Sequence, residues 1–210
     1  MATVIRQGRP DDAAFIAHIV LLSQRGPRPL GWFDFALDQS ERQVRDFLTR
    51  IAVAKPRSWY HVSQFLIAEV DGKPAAALCA MPSRETRDTM RSAIEEAALA
   101  VGLSAADIFA RGAYARGCWV QGGEEDWLIE HVAALSEYRG RGLVQALIDH
   151  ALAAGGRAGF KQASISFLIG NEAAERSYAK AGFMFAEEKR DASFEARTGA
   201  PGFRRFVRTI

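Results

Sequence analysis

The residues best equipped for chemistry lie between Trp127 and Tyr178. An apolar run ends at Leu135 and a short polar turn follows. Arg139-Gly140-Arg141-Gly142-Leu143-Val144 then opens a stretch in which Leu143, Leu147, Ala151 and Ala154 fall on one helical face. The pattern predicts a helix packed on a sheet, with its first N–H groups free at the carboxyl end of a strand. Such an end binds anions. The helix dipole favours negative charge there, Gly140 and Gly142 remove side chains that would keep a phosphate from the backbone, and Arg139 and Arg141 add positive charge. The dinucleotide fingerprint is a rival for this turn, and it fails. Its third glycine would fall at Gln145, and the next strand, 163–168, does not end in the carboxylate that would hold a ribose.

On the strand before the turn, Glu130 and His131 are titratable neighbours. Strand alternation predicts opposite faces for them, so that only one looks into a cleft. Further along, Asn171 stands where an N-cap is wanted, ahead of a helical pattern over 172–181 that carries Tyr178.

The elements that position these residues read as strands and helices in alternation. A first strand is expected at 3–7, and Pro10, Asp11 and Asp12 start a helix bearing Phe15, Ile16, Ile19 and Val20. The segment 26–37 reads as a loop followed by a second helix, capped near Ser40 and fading before Pro56. Strands at 65–70 and 74–81 flank Asp71-Gly72, a strong two-residue hairpin signal. One or two helices follow over about 84–110, and Gly112, Gly117, Gly122 and Gly123 interrupt what comes next. A strand at 127–135, a helix at 139–154, a strand at 163–168, a helix at 172–181 and strands at 184–188 and 203–209 complete the chain. The expected fold is α/β (α+β), a mixed sheet flanked by helices on both faces, in a single domain spanning 1–210.

The region resembles the Gcn5-related N-acetyltransferase (GNAT) family, whose hallmark Q/R-x-x-G-x-G/A begins the helix that grips the coenzyme A pyrophosphate. Here it reads Arg139-Gly140-Arg141-Gly142-Leu143-Val144. A second family signature appears at 171–183, from Asn171 to Phe183, with room for one strand between the two. The likeness covers 127–188 well, and the first strand and helix and the Asp71-Gly72 hairpin agree with the family's order of elements. Two departures stand out. The last hallmark position, normally Gly or Ala, is Val144, whose β-branched side chain crowds the helix. The helical segment 82–126, between the third and fourth strands, is longer than the family's usual connection and is expected to shape the acceptor site.

The resemblance implies a mostly antiparallel sheet of about seven strands, whose fourth strand splays from the fifth. The pantetheine arm of acetyl-CoA would lie in that gap on main-chain groups of Val132, Ala133 and Ala134. It also implies Glu130 as the base that takes the amine proton and Tyr178 as the acid for the departing thiolate, with Asn171 contacting the coenzyme. Tyr178, at a reference pKa of about 10 against about 8.5 for a thiol, stays protonated at neutral pH. His131 reads as a packing histidine. On the acceptor side, Glu124, Glu125, Asp126, Trp32, Phe33 and Trp59 are candidates, acid plus aromatic being suited to a cationic amine.

Composition bounds the partners. The 210 residues are 49% hydrophobic and 25% charged, enough apolar material for one sizeable core. With Lys+Arg 27 against Asp+Glu 25 the net charge is +2, and without a basic tail nucleic acid is not an expected partner. Arg204, Arg205 and Arg208 read as an exposed strand face. Cys79 and Cys118 are not spaced as metal ligands and read as buried small hydrophobes in a reducing compartment. The first nine residues lack an apolar run and no stretch approaches a membrane span, so no membrane role and a cytoplasmic setting are expected. The function expected is acetyl-CoA-dependent N-acetyl transfer to a primary amine of a small molecule or peptide by direct attack, with no metal and with a homodimer left open. The alternative is a non-catalytic acyl-CoA-binding or sensing protein.

Overall fold

Seven strands form one sheet, ordered β1-β2-β3-β4-β5-β7-β6. They are β1 (Thr3–Gln7), β2 (Phe65–Val70), β3 (Lys73–Pro82), β4 (Trp127–Ala134), β5 (Gln162–Leu168), β6 (Met184–Arg190) and β7 (Gly202–Thr209). This computed structural model describes residues 2–120 and 122–210, the side chains of 86–88 excepted. Gln121, inside the segment expected at 82–126, lies outside the described residues. Every neighbouring pair of strands is antiparallel except β4 and β5. Asp71 and Gly72 turn β2 into β3 with both residues at positive φ, 49° and 77°, as a primed hairpin turn requires.

Helices cover both faces. On one lie α1 (Ala13–Arg25), α2 (Trp32–Leu37), α3 (Glu41–Ile51), α4 (Thr86–Ala100) and α5 (Ala105–Arg111), burying Ile16, Ile19, Phe47, Leu48 and Ile94 against Phe65, Ile67 and Leu128. On the other, α6 (Leu143–Arg157) and α7 (Glu172–Lys180) bury Leu147, Ile148, Ala151 and Tyr178 against Leu78, Ile129 and Ile165. A smaller cluster gathers Cys118, Leu168 and Ala200 around Phe194 of α8 (Ala192–Thr198). Both cysteines are free and buried, as expected. No helix among the described residues is long and apolar enough to cross a membrane, and these residues include no group of His, Cys, Asp and Glu arranged to hold a metal.

Three expectations need correction. The helix expected from Arg139 begins only at Leu143, because Gly140 and Gly142 sit at φ 74° and 76°, outside helical space. Residues 32–37 form a short helix of their own. Asp34 accepts from the Gly31 N–H at 2.7 Å and pairs with Arg25, while Ser40 caps the following helix as expected. The arginines near the end are half-buried rather than exposed, since the acidic strand β6 and α7 pair them. Arg204 meets Glu188 at 2.8 Å and Glu175 at 3.0 Å, Arg205 meets Glu187 at 2.9 Å, and Arg208 donates to the Ala181 carbonyl.

The sheet opens at one place. β4 and β5 pair at Trp127 with Ala163, Leu128 with Ser164 and Ile129 with Ile165, and then part, although β4 continues to Ala134 and β5 to Leu168. Helix α6, seated through the fully buried Leu147, sets the far edge of this opening. Leu147→Ala is expected to destabilise the fold by about 2–5 kcal/mol, read as a lower urea midpoint with unchanged slope.

Candidate active site

The opening between β4 and β5 leads into a cleft of about 400 Å³. Val132, Ala133 and Ala134 line it from β4. Arg139 and Val144 line it at the α6 end, and Asn171 and Tyr178 from α7. From residue 130 onward the β4 edge that faces β5 has no strand partner, which leaves room for an extended ligand to pair with it.

At the α6 end the backbone leaves amide donors free. The first helical bond runs from the Ala146 N–H to the Gly142 carbonyl, so the amides of Leu143, Val144 and Gln145 are the helix's unpaired N-terminal donors. A Cβ at Gly140 or Gly142 would meet nothing within 4 Å. These glycines therefore serve the backbone angle and leave space beside it, with no packing neighbour to satisfy. Arg141 lies 5.1 Å over the Tyr138 ring and donates to the Glu137 carbonyl, while Arg139 donates to the Ala134 carbonyl at 3.4 Å. Both are exposed. Leu143 sends its side chain into the core and offers the site only its amide. Val144 is half-buried, packs against the core and lines the cleft. Asn171 caps α7, its Oδ1 accepting from the Ala174 N–H at 3.2 Å.

The expected opposition of Glu130 and His131 is overturned by a bulge. Cys79 faces Glu130 and Ala77 faces Ala133, so β4 spends one more residue than β3, and His131 takes φ 53° in the left-handed region. The extra residue cancels the alternation, and both side chains turn toward the α1 side of the sheet. His131 stacks on Tyr60 and Phe65, meets Trp59 edge-on, and lies 3.3 Å from the Ser23 hydroxyl through Nδ1. Burial among these rings pushes its pKa down to about 3, so it is neutral at any ordinary pH.

Glu130 has no hydrogen-bond or ion-pair partner among the described residues, and desolvation pushes its carboxyl up to about 8. Tyr178, 6% exposed, has its phenol raised by burial first and by the nearby Glu130 second. The two expected catalytic residues thus share one cleft.

Beyond Glu130 lies a second cavity of about 630 Å³. Gln24, Trp119, Val120 and Glu130 line both spaces. Of the residues expected on the acceptor side, Trp32 and Trp59 line this cavity, but Phe33 is fully buried in the core. Glu124 and Glu125 are exposed outside it. Asp126 is buried and occupied, accepting from the Gly123 N–H at 2.7 Å and from Gln162 at 2.8 Å, with Arg205 at 3.5 Å. Met90, Ile94, Phe109 and Trp119 were not singled out by sequence. The first three share one apolar pattern with ordinary core residues, and nothing local distinguishes a residue that lines a cavity from one that fills it.

A splayed parallel strand pair, a glycine-hinged helix start with free amides and an adjoining chamber make up the candidate site. The sequence profile of the acetyltransferase (GNAT) family matches residues 33–183, and the chain belongs to that family. Among curated proteins none matches the chain. A solved acetyltransferase superposes with a TM-score of 0.72 at 19% identity, covering 99% of each chain. An N-acetyltransferase from Staphylococcus aureus Mu50 gives 0.70 at 21% identity, over 98% of this chain and 100% of its own. The apo form of a mutant agmatine N-acetyltransferase gives 0.56 at 16% identity, over 99% of each. At these identities the solved structures speak for the fold.

The two perturbed groups give the fold opposite pH dependences. Glu130 titrates at about 8 folded against 4.5 unfolded, so its contribution to stability falls as pH rises through that window and is level above it. His131, at about 3 against 6.5, contributes fully above 6.5 and loses that contribution as pH falls toward 3. Denaturation from about pH 5 to about pH 9 should show the wild type losing stability relative to Glu130→Gln as pH rises, with the difference flat above about 8. A difference that does not vary with pH would contradict the perturbed carboxyl.

Proposed function

We propose that this chain is an acetyl-CoA-dependent N-acetyltransferase that moves an acetyl group to a primary amine by direct attack. The observation that carries the reading is the meeting of a cofactor-sized cleft and a second chamber at one desolvated carboxyl, Glu130. Acetyl-CoA supplies the activated thioester. In this reading the bare amides at 143–145, with Arg139 and Arg141, hold the diphosphate, and Asn171 contacts the coenzyme from the start of α7. The free β4 edge at Val132, Ala133 and Ala134 pairs with the pantetheine arm.

Glu130 takes a proton from the incoming ammonium, freeing the nitrogen lone pair to form the new N–C bond, and the surplus N–H proton of the adduct passes to water as the amide forms. As the C–S bond breaks, Tyr178 passes its phenolic proton to the departing sulfur. Burial holds Tyr178 protonated until then, and both groups are restored by proton exchange with water. The whole chain, 1–210, acts as one unit here, with 82–126 walling the acceptor chamber.

The test is acceptor-dependent release of free thiol from acetyl-CoA across an amine panel. No release with any amine would refute the catalytic claim, and CoA binding without turnover would instead identify an acyl-CoA-binding or sensing protein. Glu130→Gln should lower kcat/KM by about 10²–10⁴-fold and remove the rise in rate that the wild type shows as pH passes about 8. Tyr178→Phe should lower kcat more than CoA affinity, and equal loss of both would contradict its role as acid. Gly142→Glu, which strains φ 76° and places a carboxylate at the free amides of α6, should abolish CoA binding by calorimetry.

A further inference from the structure

The second chamber is walled by rings. Trp32, Trp59, Phe109 and Trp119 line it, and Met90 and Ile94 of α4 add apolar surface. At about 630 Å³ it has the size of a site for a small organic molecule, which spans about 300–1,000 Å³. Its charges are few. Of the two carboxylates among the described lining residues, Glu130 stands at the junction with the cleft, and Glu187 is held by Arg205 at 2.9 Å. The two cations, Arg116 and Lys189, are exposed and so lie on its solvent side, where Lys189 donates to the Trp119 carbonyl at 3.3 Å.

This arrangement sorts amines by charge. One ammonium can enter against Glu130. A second would lie among rings, with no free carboxylate among the described residues to pair it, and a buried unpaired charge is costly. Aromatic faces attract cations as well, but Arg116 and Lys189 oppose any further positive group from the solvent side. The acidic residues before β4 do not reverse the balance, because Glu124 and Glu125 are exposed and do not line the chamber and Asp126 is taken. Resting on the N-acetyltransferase reading above, we infer that the acceptor is a primary monoamine on an apolar, ring-bearing body, an arylalkylamine, and not a polyamine or guanidinoalkylamine. Segment 82–126 sets this choice, since it supplies Met90, Ile94, Phe109 and Trp119.

The experiment compares 2-phenylethylamine and tryptamine with putrescine, spermidine and agmatine. It measures kcat/KM at saturating acetyl-CoA and, separately, calorimetric binding of each amine to the CoA-loaded protein. The aryl amines should lead by about tenfold or more in both measurements. Equal or better performance by the polycations would overturn the inference while leaving the transferase reading intact. Selective binding of aryl amines with no transfer would uphold the inference and overturn the transferase reading, and neither binding nor transfer would overturn both. Met90→Trp, which fills the chamber, should raise the KM for tryptamine by about tenfold with CoA affinity unchanged. Phe109→Ala provides a second variant from the opposite direction, through lost ring contact. Unaltered tryptamine KM in whichever of the two folds would also overturn the inference.

Discussion

A strand edge left without a partner is the constraint on which this molecule turns. Main-chain N–H and C=O groups are obligatory hydrogen-bonding groups, and after Ile129 the β4 edge toward β5 has none of its own to meet. The sheet tolerates the opening because both strands are anchored below it, by their three paired positions and by α6 packed through Leu147 and Ile148. Everything functional gathers around that edge: the glycine-hinged start of α6, Tyr178 on α7, and the bulge that re-aims β4. The gap interrupts a ladder that an extended ligand can complete, and its shape follows from topology rather than from any one side chain.

The bulge shows how a small backbone change reassigns chemistry. One surplus residue in β4 brings His131 to the side where Glu130 already lies. His131 then occupies the aromatic nest of Trp59, Tyr60 and Phe65, and as a neutral ring it adds no charge beside the carboxyl. Desolvation of Glu130 therefore goes unopposed by a neighbouring cation, which is the physical reason its carboxyl resists ionisation until well above the usual range. On the reading proposed above, a carboxyl tuned in this way would be matched to an amine that must shed a proton near neutrality.

Local signals carried much of the architecture. Asp71-Gly72, the Ser40 cap and the glycine bend at 140–142 each encode a backbone angle or a single hydrogen bond, so they are readable from a few consecutive residues. That Glu130 and Tyr178 would line one cleft was legible as well, through the motifs that surround them. What was illegible depends on distant partners. The bulge at His131 is a mismatch of register between two strands, and no residue within β4 announces it. Helix α8 has a local cap in Asp191, but its seat depends on Phe194 stacking on Tyr114, a partner far away in the chain. The acidic trio before β4 looked like a binding surface because its charges are consecutive. Only in three dimensions is Asp126 seen to be consumed by Gln162 and Arg205.

Gln24, Trp119, Val120 and Glu130 form a partition common to two chambers, not the wall of one. On the reading proposed above, donor and acceptor would therefore not be accommodated independently, because whatever bulk one of them sets against this partition is taken from the other. A substitution at any of these four residues would then reshape both spaces at once, so neither could be altered without the other.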